Sequence, residues 1–529
     1  MTVLSSSAIL SHAEEKDPLR GVVRDSMGDP LPGVRVVVQG TKEGTVTSAD
    51  GGYTIKLQVG QVIRFSYVGF DEVTIVWDGT SPQDITLRES TDLLDELVVV
   101  GYGSQKKVNL TGAVSQVGGD VLENRPLPNL ARGLQGMVPN LNISMPDGSP
   151  TRSVSFNVRG RTSIGAGGSA LVLIDGVEGD PSMINPNDIK SISVLKDAAS
   201  SAIYGSRAAF GVVLITTKQA SEGKIHVNVS SNYSINQPTV VPKLNTDGYS
   251  WAKNFSDAFN AWYDYKSFPI SVNNIYPFSA EYLDELKAQD NNPGAPEAIY
   301  NESKGRYWYF GDTDWYKTIY KSQSFATEQA ASVSGGSDRV RMYASARYYF
   351  QDGIFNYNAD KFHKYNLRLK GSVKITPWLT FEENVEYNKY SYKYPMLSDG
   401  DGNIWRQFEH QGYPIAVLRN PDGTYTHSAV YNGVAAFIEQ KNKSLTDYDS
   451  TKSISSLTGY ALDNRLMVKA DFTFSKSFRK ESRSNNYIDY SVRPGEVRRF
   501  GKSLLRSYND QTSYLSLIHI SEPTRLLSI

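Results

Sequence analysis

At 529 residues the chain is too long for one ordinary core, so it calls for several domains or one very large β architecture. Its formal charge of −1 excludes a basic nucleic-acid surface as the main theme, and the absence of cysteine excludes disulfides, thiolate metal sites and a cysteine nucleophile. Tyrosine is in excess, 33 against 20 Phe and 7 Trp, which suits surfaces in contact with lipid, sugar or interfacial water. No apolar run approaches the roughly 18 residues a transmembrane helix needs, so any crossing of a membrane has to be made by strands.

Residues 1–18 end their weakly apolar part at Ser11-His12-Ala13, a small-x-small pattern of the kind that precedes signal cleavage. They read either as the tail of a secretion signal or as an ordinary disordered terminus. From 19 to 90 the chain is strand and turn: Val34, Val36 and Val38 fall at period two, and Gly28-Asp29-Pro30, Gly33 and Asp50-Gly51-Gly52 punctuate. This predicts a small antiparallel β-sandwich. The order G-x-V-x-D, PLPGV, a Gly40-Thr41 turn and then DGGY resembles the carboxypeptidase-regulatory-like, transthyretin-like domain. The six histidines form no H-x-x-E or H-E-x-x-H pair, so the sandwich reads as an accessory module, with no metal site and no catalytic residue.

Residues 91–109 hold Asp95-Glu96-Leu97-Val98-Val99-Val100, a short apolar strand running into Gly101-Tyr102-Gly103 and a basic, polar string that reads as neither helix nor half of a hairpin. Between 110 and 220 strands mix with short helices. Strands are expected at Ala170–Ile174, Ile192–Leu195 and Gly211–Thr216, a helical piece at Asp197–Tyr204 closed by Gly205, and a capped turn at Asn187-Asp188-Ile189. Gly165-Ala166-Gly167-Gly168 lacks the order of a phosphate loop. The succession RGLQGMVPN, NVRGR, LVLIDG and VLKDAASSAIYGSRAAFGVVLITTK closely resembles the plug domain of TonB-dependent outer-membrane receptors, the SusC-like nutrient transporters in particular.

From 221 to 514 segments of about ten residues alternate as membrane barrel strands must. In RVRMYASARYYF, Val340, Met342, Ala344, Ala346, Tyr348 and Phe350 share one face, and in NRLMVKADFTF so do Leu466, Val468, Ala470, Phe472 and Phe474. Further strands are expected at Lys224–Ile235, Ser324–Val333, Lys364–Ile375 and Trp378–Tyr387, with tight turns at one end and long connections, Gly248–Lys321 and Tyr390–Leu457, at the other. Asp399-Gly400-Asp401-Gly402-Asn403 begins like a calcium loop but has Ile404 at the sharp-turn position, so it reads as a polar turn. Residues 515–529, beginning Leu515-Ser516-Leu517-Ile518-His519-Ile520, look like the translation of a sequencing adapter and are expected to break the strand pattern, with the natural chain continuing past Tyr514.

The fold class is therefore mainly β: a small transthyretin-like sandwich, an α/β plug domain and the first part of an antiparallel transmembrane barrel. The resemblance implies a protein of the outer membrane that imports oligosaccharides, peptides or other large nutrients without catalysing a reaction and without a cofactor. Its partners would be the TonB-ExbB-ExbD energy-transducing complex, a SusD-like lipoprotein and outer-membrane lipid, with no nucleic acid. Asp95, Glu96, Leu97, Val98, Val99 and Val100 would serve as the coupling strand that a partner sheet takes up. Arg159, Arg161, Asp175, Glu178, Asp197 and Arg207 are the expected plug–barrel contacts. Trp308, Trp315 and Tyr316 are candidate ligand platforms, since pyranose rings present apolar C–H faces to aromatic rings. The alternative is a secreted or surface β-sandwich adhesin without a channel.

Overall fold

The computed structural model describes residues 17–523 apart from 40, 42, 68–69, 89–96, 101–102, 107–113, 123–126, 128, 146–148, 152–153, 159–168, 197–200, 220–221, 263–268, 270–275, 277, 293, 398–409 and 463–464. The chain divides into two compact units, residues 1–112 and 113–529.

In the first unit a four-stranded sheet, ordered Gly44–Val46, Arg35–Val38, Val62–Ser66, Val73–Val76, packs with a three-stranded one in which Asp17–Arg24 lies between Gly52–Leu57 and Ile85–Thr86. The period-two valines explain the core: Val34, Val36 and Val38 point inward and meet Leu19, Ile55, Leu57, Ile63, Phe65 and Trp77, all buried. Gly51 takes a positive φ of 75° where a Cβ would come within 2.6 Å of the Val23 carbonyl oxygen, so the DGG turn requires glycine there. Leu97–Val100 pairs antiparallel with Gly103–Lys106, Val99 opposite Ser104. The polar string is thus half of a hairpin after all, and residues 101–102 between its strands lie outside the described residues.

The second unit begins with an α/β body. Its five-stranded sheet is ordered Val114–Gly118, Ile189–Leu195, Val212–Thr217, Leu171–Ile174, Val177–Glu178, with Leu171–Ile174 and Val212–Thr217 parallel. Ile192, Val194, Val213 and Ile215 are buried on one face against Leu130, Leu134 and Phe156. Two local expectations are corrected. The turn at Pro186–Asp188 is capped by the Asn185 side chain, which accepts from the Asn187 amide at 3.1 Å, so Asn187 is not the cap. Around Gly205 the chain forms 3₁₀ turns over Ala202–Ala208, and Gly205, at φ 66°, kinks this element instead of closing it. Of the helix expected at Asp197–Tyr204, residues 197–200 lie outside the described residues.

Beside this body stands a wall of eight strands, each antiparallel to the next in chain order: β1 (Gly223–Asn236), β2 (Ser324–Gly336), β3 (Val340–Asp352), β4 (Lys361–Thr376), β5 (Leu379–Pro395), β6 (Lys443–Ala461), β7 (Leu466–Asn485) and β8 (Leu504–Pro523). Tight turns join β2 to β3, β4 to β5 and β6 to β7, and longer connections all leave from the opposite end. Alternate residues face away from the body and form an apolar band in which Val227, Val229, Met342, Leu367, Leu369, Phe472 and Phe474 are exposed. Such a band on a sheet is what lipid requires. Among the described residues no helix is long and apolar enough to cross a membrane.

The stretch 390–457, expected to be one long connection, contains most of β6. Between Leu445 and Leu457 its outward positions are Asp447, Asp449, Thr451, Ser453 and Ser455, so the middle of the strand lacks the apolar alternation that reveals one. The expected break after Tyr514 is also absent. β8 continues its pairing with β7 to Pro523, Leu515 and Leu517 falling opposite Phe474 and Phe472.

The connections at the long end fold into a cap with its own core. Helices Gly248–Trp262 and Ala280–Asp290 and the hairpin Ala298–Asn301 with Arg306–Tyr309 bury Phe278, Tyr282, Trp308, Phe310 and Trp315 together with Ile415, Val434 and Phe437.

Candidate functional site

The inner face of the wall is polar where it meets the α/β body. Arg347 on β3 and Glu328 on β2 are both fully buried, and the guanidinium donates from Nε at 3.0 Å and Nη2 at 2.5 Å to Glu328 Oε2. The same Nη2 donates to the Leu127 carbonyl of the body at 2.6 Å, and Asn187 Nδ2 of the body donates to Glu328 Oε1 at 2.9 Å. Arg368 on β4 forms a second node. Its Nε donates to Asp188 Oδ2 at 3.2 Å, its Nη1 to Asn384 Oδ1 at 3.0 Å and its Nη2 to Glu386, while Asp175 Oδ2 lies 3.6 Å away. Tyr343 completes Asp188 by donating to Oδ1 at 2.9 Å.

Asp175 takes φ 50° in the Asp175-Gly176 turn that joins Leu171–Ile174 to Val177–Glu178. There its carboxylate accepts from the Thr217 amide at 2.9 Å, Thr217 Oγ1 at 2.7 Å and Asn384 Nδ2 at 2.9 Å, and it meets Lys370 Nζ at 3.1 Å. Burial pushes this carboxyl up, but Lys370 and Arg368, helped by the two Thr217 bonds, outweigh burial and hold it down at about 2. Three wall side chains also donate to backbone carbonyls of the body: Lys364 to Ser182 at 2.5 Å, Asn366 to Met183 at 2.7 Å and Lys452 to Glu178 at 3.2 Å. The seam therefore joins body acids to wall bases through charge-assisted hydrogen bonds, with an apolar contact at Met183 against a cluster of Phe362, Tyr390 and Tyr392.

Of the contacts expected from sequence, Asp175 lies in this seam. Glu178 and Arg207 pair with each other inside the body, both more than half exposed, and only the Glu178 carbonyl touches the wall. Arg159, Arg161 and Asp197 lie outside the described residues, as do Asp95 and Glu96 of the coupling strand. Asp188, Asn187, Arg347, Arg368, Lys364 and Lys370 were missed. The available signal was a charge on the polar face of an alternating strand, which Arg347 carried.

Trp308 and Trp315 are corrected. They are 3% and 2% exposed, and Trp315 Nε1 donates to the Tyr413 carbonyl at 2.9 Å, so both rings pack the cap core and present no face to a ligand. Tyr316 is only half-buried. Its ring packs tilted against that of Tyr320, centroids 5.0 Å apart, and lines an open cleft of about 600 Å³.

A polar-seamed α/β body against the inner face of a wall with an outward apolar band defines a plugged membrane β-barrel. Comparison with known proteins agrees. Residues 106–212 match the TonB-dependent receptor plug domain and residues 19–99 the CarboxypepD_reg-like domain. TonB-dependent receptor P39 of Formosa agariphila is 38% identical over 458 residues, 82% of this chain and 40% of that protein. TonB-dependent receptor SusC of Bacteroides thetaiotaomicron is 28% identical over 382 residues, 70% of this chain and 33% of that protein. Among solved structures, the RagAB peptide importer in its open-open state superposes with a TM-score of 0.60 at 22% identity, covering 79% of this chain and 46% of that one. The chain belongs to the TonB-dependent receptors, outer-membrane β-barrel proteins, and among them it is similar to SusC. It spans less than half the length of these relatives.

Proposed function

We propose that this chain supplies the coupling strand, plug and first wall strands of a TonB-dependent importer of oligosaccharides or peptides. The observation that carries the reading is the chemistry of the seam. A plug held by Arg368, Arg347, Lys370 and Asn366 against Asp188, Asp175 and backbone carbonyls can exchange each contact for water as it loosens. An apolar seam would have to expose its core to do the same. Energy for loosening comes from the TonB-ExbB-ExbD complex, which takes up Asp95–Val100 as an added strand. Main-chain bonds at ~0.5–1.5 kcal/mol each give reversible engagement over so short a strand. The edge of Leu97–Val100 opposite Gly103–Lys106, unpaired among the described residues, is the side on which that strand is added. A SusD-like lipoprotein covers the long-connection end and delivers the ligand, and Tyr316 contributes an aromatic surface at its cleft.

Val99→Pro tests the coupling, because proline removes a donor from the augmented strand without touching the lumen. Uptake by cells carrying the full-length receptor is expected to cease while ligand binding to the purified receptor stays normal. Uptake at the normal rate would refute the assignment.

A further inference from the structure

The outward face of the wall carries a chemistry that import does not use. Near the long-connection end, alternate positions on β3 and β4 bring Tyr348, Phe350, His363 and Tyr365 together. The Tyr348 hydroxyl lies 3.0 Å from His363 Nδ1, and the Phe350 and His363 rings are 4.9 Å apart. Amphipathic rings at the edge of an apolar band mark the boundary between hydrocarbon and headgroups. Two residues beyond His363 on the same face, about 7 Å further along β4, stands Lys361.

The register sets Lys361 directly opposite Lys393 on β5, and Lys393 opposite Leu445 on β6, two residues from Lys443. All three lysines fall on outward positions, Lys361 and Lys443 exposed and Lys393 half-buried. None makes an ion pair with any described residue. Of the acids on this face, Asp352 lies across from Lys361 but is engaged by Lys321 at 2.7 Å, and Asp447 and Asp449 sit further down β6, opposite Ser391 and Lys389. Like charges directly across a ladder weaken a sheet, so a trio of lysines at this height has a cost that an anion would remove.

We propose that Lys361, Lys393 and Lys443 form a binding site for the phosphorylated headgroup of an outer-leaflet lipid. The phosphate is held by the three ammonium groups, and the acyl chains lie along the apolar band below, over Leu367, Leu369 and Val385. The occupant is a lipid and not free phosphate because the cluster continues into the aromatic girdle and the apolar band on one face. A soluble anion would use neither.

The test uses the full-length receptor in nanodiscs containing bisphosphorylated lipid A or its dephosphorylated form, with retained lipid counted by native mass spectrometry. Wild type is expected to retain the bisphosphorylated lipid. The variant Lys361→Gln, Lys393→Gln, Lys443→Gln should lose at least about tenfold in retention, since each lysine near an anionic surface adds appreciably. The corresponding triple Arg variant should keep it, and neutralising Lys253, Lys287 and Lys304 in the cap should change nothing. Should the triple Gln variant fail to fold, Lys443→Gln alone is expected to lose about fivefold. Equal retention of the dephosphorylated lipid, or unchanged retention by the Gln variants, would overturn the proposal. Displacement of the lipid by millimolar inorganic phosphate would also overturn it, by reassigning the cluster to a free anion.

Discussion

Replacing Arg368 with Gln removes the cation on which the lower seam converges. The side chain is 2% exposed and serves Asp188, Glu386 and Asn384 at once, with Asp175 beside it. Asp175 would keep Lys370 and Asn384. Asp188 would keep only neutral donors, Tyr343 from the wall at 2.9 Å and Asn185 from its own turn at 2.9 Å. Breaking a buried pair costs ~3–5 kcal/mol, and the surviving donors place this case near 3. Spent on docking, that is roughly a 100-fold rise in the open population of the plug. Hydrogen exchange of the amides in Ile189–Leu195 and Leu171–Ile174 reads it directly and does not require the barrel to unfold. Pairing the substitution with Asp188→Asn should recover part of the loss, because the stranded carboxylate is then neutral. Protection unchanged by Arg368→Gln would refute the claim that the charges of the seam hold the plug.

Two other consequences follow from the same geometry. The Asp175 carboxyl is depressed from 3.8 to about 2, so its contribution is complete above about pH 4 and is lost as pH falls toward 2. A difference of this size is worth ~2 kcal/mol, so plug protection should decline over that window in wild type and lose the slope in Asp175→Asn. Trp315→Ala empties a buried site in the cap core and removes one of the two donors to the Tyr413 carbonyl, which keeps the Ala416 amide at 3.0 Å, so the cap should lose ~3–5 kcal/mol of stability by chemical denaturation. A large loss of ligand affinity with stability unchanged would return Trp315 to the ligand surface.

Strands with one lipid face and one lumen face were legible wherever the lipid face is apolar. Val340 to Phe350 alternate along β3, and the structure turns those residues outward. β6 escaped because Thr451, Ser453 and Ser455 occupy its outward positions, where Ser453 and Ser455 both donate to Glu383 at 2.6 Å. Aromatic residues in a polar loop were misread for a different reason. Gly311-Asp312-Thr313-Asp314-Trp315-Tyr316 gives no sign that Trp315 will be covered, since its neighbours Ile415 and Phe437 are about a hundred residues away in sequence. The seam was half legible. Asp175 stands out in a turn motif, but its partners Lys370 and Asn384 emerge only when the wall curves past the body.

The most direct test of a plug that must leave its seam for transport is to prevent it from leaving. This chain has no cysteine, so Asn187→Cys on the plug and Glu328→Cys on β2, whose native side chains meet at 2.9 Å, give one thiol pair within it for a short cleavable cross-linker, with any cysteine elsewhere in the receptor replaced by serine. In cells carrying the full-length receptor, uptake is expected to stop on cross-linking and to return when the linker is cleaved, with ligand binding unaffected throughout. Undiminished uptake through the cross-linked receptor would contradict the account.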